Sequence, residues 1–148
     1  MKNSRAPLAL NNEVLAVSGS DEDLSRLRAT FAGSSWDLHT ARTVEEAGAS
    51  LSGNTTPVVL CASQLPDGDW KTLLRLADGL AHPPNLIVFA RLADDRLWAE
   101  VLSLGGFDVL AFPVNRVELF RAISSAWRNW RDRFSVHGPM STAAANSL

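Results

Sequence analysis

The sequence predicts an α/β protein built on a doubly wound parallel sheet. Its most apolar run, Val58-Val-Leu-Cys61, is continuous rather than alternating, as expected of a strand buried on both faces. Short apolar runs of this kind alternate along the chain with segments of helical periodicity. Because right-handed crossovers place helices on both faces of a parallel sheet, five strands alternating with five helices give this architecture.

Each strand has its own sequence signal. The first is apolar nearly throughout, whereas the second, beginning at Trp36, alternates apolar and polar residues as a half-exposed strand does. The fourth is preceded by Pro83 and Pro84, which cannot lie within a strand ladder. The predicted strands are 13–17, 36–40, 58–61, 85–90 and 107–111.

The helices are predicted from their start and stop signals. Ser20 with Asp23 and Thr43 with Glu46 have the spacing of a capping box, and Asp69 is placed to cap the third helix. The fourth helix begins at Asp94-Asp95 with Leu97, Val101 and Leu104 facing inward, and the fifth is capped by Asn115. The helices start near 21, 44, 70, 95 and 116, and the last runs to about residue 134; Gly33, Gly53 and Gly105 end the first, second and fourth.

Length and composition indicate one domain. With 148 residues and 46% hydrophobic content the chain can bury a single core, predicted over 13–134 between a leader, 1–12, and a disordered tail, 135–148. A net charge of −2 from 14 basic and 16 acidic residues argues against a nucleic-acid partner. No export signal and no run of membrane-spanning length is found, so we expect a cytoplasmic protein without a membrane partner.

Enzymatic chemistry is not indicated. His39 lies in a strand, His82 precedes two prolines and His137 lies in the tail, so no histidine is placed beside a nucleophile. Nucleophile elbows, glycine-rich nucleotide motifs and cysteine–histidine metal spacings are missing from the sequence. Cys61 is expected to pack as a small apolar residue. We therefore expect neither catalysis nor a cofactor.

The segment after the third strand carries a family resemblance. The strand leads into Ala62, and four residues later comes Pro66-Asp67-Gly68. This pattern, with Leu-Gly-Gly-Phe-Asp-Val-Leu from residue 104, resembles bacterial response-regulator receiver domains of the chemotaxis type over residues 13–134. The resemblance implies a flavodoxin-like strand order 2-1-3-4-5 and a role in two-component or phosphorelay signalling.

The same resemblance implies a degenerate phosphorylation site. The aspartate that accepts the phosphoryl group in the family corresponds to Ala62, and a methyl group cannot be phosphorylated. Magnesium requires hard oxygen ligands, and phosphoryl transfer requires neutralisation of charge on the transferred group. The other equivalent positions are Ser18 and Gly19 for the metal-binding acids, Ala90 for the hydroxyl residue, Phe112 for the lysine and Val109 for the aromatic switch.

A protein partner or a homodimer is the expected mode of action. The last helix carries an aromatic stripe that, by length, is expected to extend beyond the sheet, and Trp98 and Leu102 turn away from the inward face of the fourth helix. Alternatively, these tryptophans cap the core of their own chain. The interface candidates, rich in the residue types of hot spots, are Trp98, Leu102, Trp127, Arg128, Trp130, Arg131 and Phe134.

Two other functions remain open. One is a small-ligand sensor whose binding cleft would be apolar and formed by Ala62, Ala90 and Phe112. The other is an ordinary phosphorylatable receiver whose site is misaligned in the assignment above. Four acidic residues lie near the strand ends, and capping or turn formation is their expected role: Asp21, Asp23, Asp67 and Asp69.

Overall fold

The computed structural model describes residues 11–134. Five parallel strands form one sheet in the order β2-β1-β3-β4-β5, which confirms the predicted flavodoxin-like architecture. The strands are β1 (Glu13–Val17), β2 (Asp37–Ala41), β3 (Val58–Ala62), β4 (Asn85–Ala90) and β5 (Asp108–Ala111). The helices are α1 (Asp21–Phe31), α2 (Val44–Gly53), α3 (Trp70–Asp78), α4 (Asp95–Ser103) and α5 (Arg116–Phe134).

Strand β3 lies at the centre of the sheet and is buried on both faces. It pairs with β1 on one side and with β4 on the other, and Val58 to Cys61 are at most 1% exposed. Successive side chains of a strand point to opposite faces, so Val59 and Cys61 face one helical layer and Val58 and Leu60 face the other. Helices must therefore cover both sides.

The two helical layers enclose two separate cores. Helices α2, α3 and α4 cover one face of the sheet, where Leu73 and Val101 are fully buried. Helices α1 and α5 cover the opposite face with Leu27, Leu119 and Ile123. This segregation is what alternating strands and helices with right-handed crossovers produce.

Several boundaries differ from the sequence prediction by one residue or by one short element. Strand β2 begins at Asp37 rather than Trp36, and β5 begins at Asp108 rather than Phe107. In the loop after β3, Gln64–Leu65 pairs with Gly68–Asp69 as a short antiparallel hairpin whose strands have two residues each. It had no counterpart in the prediction, because two paired residues leave no periodicity in the sequence.

The prediction that Leu104 faces inward is wrong. Helix α4 ends at Ser103, and the Leu104 side chain is 50% exposed. Gly105 follows with φ +103°, a left-handed conformation that redirects the chain toward β5. The helical spacing that places Leu97 and Val101 inward therefore does not continue to Leu104.

The end of the last helix packs within its own chain, which is the alternative that the sequence left open for Trp130. Trp130 is 0% exposed, so it cannot contact another chain and is withdrawn from the interface candidates. The prediction from length compared the last helix with the strands alone, whereas the connecting segments extend the packing surface past the strand ends. The Arg133 guanidinium, for example, donates to the carbonyl oxygen of Pro83, in the loop before β4, at 3.3 Å.

Trp127 also packs within its own chain. Its indole N–H donates to the carbonyl oxygen of Asn11, and its ring lies edge-on to Trp36 with centroids 6.1 Å apart. The end of the predicted leader is thus fixed against α5. The rest of the leader, 1–10, and the predicted tail, 135–148, lie outside the described residues.

Among the described residues, no helix is both long enough and apolar enough to cross a lipid bilayer.

Two tryptophan substitutions should separate buried from exposed aromatic residues. We expect Trp130→Ala to lower the free energy of unfolding by about 3–5 kcal/mol, because it leaves a cavity in a packed core. Trp98→Ala should change it by no more than about 0.5 kcal/mol, because Trp98 is 50% exposed. Urea unfolding at low protein concentration measures both; equal effects would contradict the assigned position of α5.

Candidate functional site

A cleft of about 480 Å³ opens at the carboxyl ends of the central strands. This edge is where open α/β sheets bind ligands, because the loops after neighbouring strands meet there. Ala62, the last residue of β3, lies half-buried in its wall. The lining residues are Ser18, Gly19, Ser20, Asp23, Ala62, Ser63, Gln64, Leu65, Pro66, Phe89, Ala90 and Arg91.

Four of the six predicted site positions meet in this cleft. Ser18 and Gly19 follow β1, Ala62 ends β3 and Ala90 ends β4, so the topology brings together residues that are far apart in the sequence. Ser18 is buried, and its hydroxyl oxygen accepts a hydrogen bond from the Ser20 amide at 3.1 Å. Its hydroxyl therefore stabilises the turn into α1.

Gly19 lies where a side chain would not fit. A Cβ atom at this position would lie 2.8 Å from Cγ of Pro66 and 2.9 Å from its Cδ. Both atoms belong to a closed ring that cannot rotate away. The proline of the Pro66-Asp67-Gly68 turn therefore excludes any acidic side chain at Gly19 unless the loop moves.

Phe112 does not line the cleft, which corrects the hypothesis of an apolar pocket formed with Ala62 and Ala90. The Phe112 side chain is buried between the sheet and the α1–α5 layer, with its ring centroid 5.0 Å from that of Phe89. It follows β5 and precedes Pro113 through a cis peptide bond. The cleft itself is partly polar, because Ser18, Asp23 and Arg91 contribute to its wall.

An ion pair crosses the cleft. Asp23, in the first turn of α1, is 4% exposed, and its two carboxylate oxygens accept hydrogen bonds from Arg91 at 2.9 and 3.3 Å. Those hydrogen bonds, with the negative charge of Asp23, raise the pKa of the Arg91 guanidinium. The prediction that Asp23 serves in helix capping is incomplete: its amide bonds the Ser20 hydroxyl, but its carboxylate binds Arg91.

Arg91 was not singled out from the sequence. Its position directly after β4 could have identified it as a residue of the cleft, because the carboxyl ends of β4 and β1 lie on the same edge of the sheet. The guanidinium also lies 5.3 Å from the centroid of the Phe112 ring, within the range of a cation–π contact.

The remaining acidic residues have structural roles near the cleft. Asp69 caps α3 in a complete capping box with Thr72, as predicted. Asp67 instead reaches α2: its carboxylate accepts hydrogen bonds from the amides of Val44 and Glu45, and the Val44 bond is the main cause of its lowered pKa. Asp21 is exposed and pairs with Arg42.

Val109 and Cys61 are buried in the core of the α2–α4 layer, Cys61 as the small apolar residue that the sequence predicts. Val109, at the switch position, packs near Val101. Cys61, next to Ala62, is free and buried, and burial raises the pKa of its thiol. Within residues 11–134, three potential metal-ligating side chains come together only at Glu13, Asp37 and His39, near the opposite edge of the sheet.

The interface candidates divide by exposure. Trp98 and Leu102 are exposed on α4, and Arg128 is exposed on α5. Trp127, Arg131 and Phe134 are half-buried: the Arg131 guanidinium lies 5.1 Å from the Trp127 ring, and the Phe134 ring lies 5.0 Å from that of His82. Exposed apolar surface thus concentrates on and around α4 rather than on the end of α5.

Three comparisons with known proteins indicate which class of protein this chain resembles. No family model matches the chain, and no curated protein matches it significantly. Solved structures do match, and those described below are response-regulator receiver domains with the same doubly wound sheet.

The individual likenesses cover most of the chain. The signal receiver domain of an HD domain-containing protein from Pseudomonas fluorescens is 26% identical, with TM-score 0.75 over 83% of this chain and 91% of that one. Receiver domains from Methanospirillum hungatei (20% identical, TM-score 0.73, 82% and 98% covered) and Clostridium thermocellum (19%, 0.71, 79% and 94%) are also similar. The resemblance to receiver domains is therefore confirmed, and this chain has their fold.

The close approach of Pro66 to Gly19 can be tested by substitution. Gly19→Ala should lower the free energy of unfolding by about 1–3 kcal/mol, because the added methyl group overpacks the turn. Pro66→Ala in the same chain should relieve much of the loss. Gly53→Ala is the control, since a Cβ there meets nothing within 4 Å and should be neutral or slightly stabilising. A tolerated Gly19→Ala in urea unfolding would contradict the contact.

Proposed function

We propose that this chain is a receiver-type domain of a two-component or phosphorelay system that does not accept a phosphoryl group and acts by contact with another protein. It has the receiver fold, and the solved structures that it resembles are signal receiver domains. A cytoplasmic location and the lack of enzymatic activity are parts of this proposal.

One observation carries the proposal: Ala62 occupies the tip of the central strand, inside the cleft. The register of β3 against β4 pairs Ala62 with Phe89, so the strand runs without a slip to its last residue. Ser63, the next residue, is bound through its backbone to Phe89 and Trp70 on either side of it.

The surroundings of Ala62 also argue against phosphoryl transfer. That reaction needs positive charge or a metal ion at the transferred group and an oriented nucleophile. Asp23, the carboxylate among the cleft-lining residues, is already paired with Arg91. Where the resemblance implies a lysine, the buried ring of Phe112 packs against Phe89.

The surface around α4 is the best-supported contact surface. Leu92, Trp98 and Leu102 are exposed there, and Val117 is exposed at the start of α5. Tryptophan is the residue type most enriched in binding hot spots, and contiguous exposed apolar residues are typical of interaction sites. We propose self-association or binding of a signalling partner through this surface.

Incubation with acetyl phosphate and Mg²⁺ tests the chemical part of the proposal. We expect the intact mass of the protein to remain unchanged, because no carboxylate occupies the tip of β3. A receiver domain with an intact site, treated in parallel, should gain a phosphoryl group. A gain by this chain that hydroxylamine removes would establish an acyl phosphate and contradict the proposal.

Solution mass tests self-association. Light scattering over a range of concentrations should show a concentration-dependent dimer, and a Trp98→Ala, Leu102→Ala variant should remain monomeric. Leu76→Ala on α3 is a matched control, because Leu76 is exposed to nearly the same extent as Leu102. If the unmodified protein is monomeric throughout, self-association is excluded and a different protein must bind this surface.

A further inference from the structure

We propose that the Asp23–Arg91 ion pair is a latch that holds the segment between β4 and α4 in place at the wall of the cleft. The proposal concerns the conformation of the isolated chain and does not depend on what the α4 surface binds.

The geometry joins distant parts of the chain. Arg91 is the first residue after β4, and Asp23 lies in the first turn of α1, which follows β1; in the sheet, β3 lies between β1 and β4. Both carboxylate oxygens accept from the same guanidinium, at 2.9 and 3.3 Å. Such a two-point contact between planar groups fixes orientation as well as distance.

Phe112 supports the guanidinium from a third element. The Arg91 Cζ atom lies 5.3 Å from the centroid of this buried ring, which follows β5. The backbone of Phe112 is itself anchored, since its amide donates to the carbonyl oxygen of Ala90 at 3.0 Å. The side chain of Arg91 thus extends between a fixed aromatic surface and a fixed carboxylate.

Apart from Ala93, which is half-buried against the core, the segment held by this latch is open to solvent. Arg91, Leu92 and Asp94 are all exposed, and Leu92 is 75% exposed. Segments with few buried apolar contacts are those that open at low cost in free energy. Because α4 begins at Asp95, the latch also limits the movement of the first turn of that helix.

The two charged groups of the ion pair differ in burial, so the loss of one partner costs more than the loss of the other. Asp23 is 4% exposed, whereas the Arg91 side chain is 64% exposed. Loss of Arg91 leaves a buried, unpaired carboxylate, which is strongly unfavourable. Loss of the charge on Asp23 leaves an arginine that water can solvate. Arg91→Gln should therefore lower the melting temperature more than Asp23→Asn, and the double variant should recover part of that loss.

Hydrogen–deuterium exchange measured by mass spectrometry tests the latch directly. In Arg91→Gln and in Asp23→Asn, amides of the segment 91–98 should exchange about tenfold faster than in the unmodified protein, as expected for the loss of one such restraint. Arg42→Gln is the matched control: it breaks the exposed pair with Asp21 on the same turn of α1 and should leave the segment 91–98 unchanged.

The outcomes are decisive in either direction. Faster exchange confined to the Asp23 and Arg91 variants supports the latch. Exchange in 91–98 that equals that of the unmodified protein, or rises equally in Arg42→Gln, overturns it. If Arg91→Gln does not fold, Asp23→Asn carries the test, because that substitution leaves no buried charge unpaired and its effect on 91–98 must still appear.

Discussion

Burial of the central strand on both faces is the constraint on which the rest of this structure depends. Val58 to Cys61 offer no side chain that tolerates water, so helices have to cover the sheet above and below. Parallel strands can meet this requirement only through crossover connections, and these have one hand. The same connections bring the carboxyl ends of β1, β3 and β4 to one edge, where the cleft forms.

The cleft shows how neighbouring positions adapt to one another in a receiver fold. Ala62 places a methyl group at the tip of β3, and Pro66 fills the space that a side chain at Gly19 would need. The cleft still contains charge. Asp23 and Arg91 supply one negative and one positive group that satisfy each other, so the cleft is not the apolar one that Ala62, Ala90 and Phe112 would form.

Predictions based on local signals agreed best with the structure. The capping residues Asp69 and Ser20 start helices where the sequence places them, because a cap depends on residues two or three positions away. Local signals could not decide whether the aromatic residues of α5 contact another chain or cover the core of their own. The burial of Trp130 depends on loops that contribute packing surface, and the exposure of Leu104 depends on where α4 stops.

By itself, the sequence determined the fold class, the strand order through resemblance, and the residue types at the tip of each strand, since periodicity, capping and motif spacing are local properties. Only the tertiary structure decided that Phe112 turns into the core, that Trp130 is covered, and that Arg91 meets Asp23. Each of these contacts joins residues far apart in the chain. Their side-chain directions depend on how packed layers fit together, and no spacing along the sequence encodes that fit.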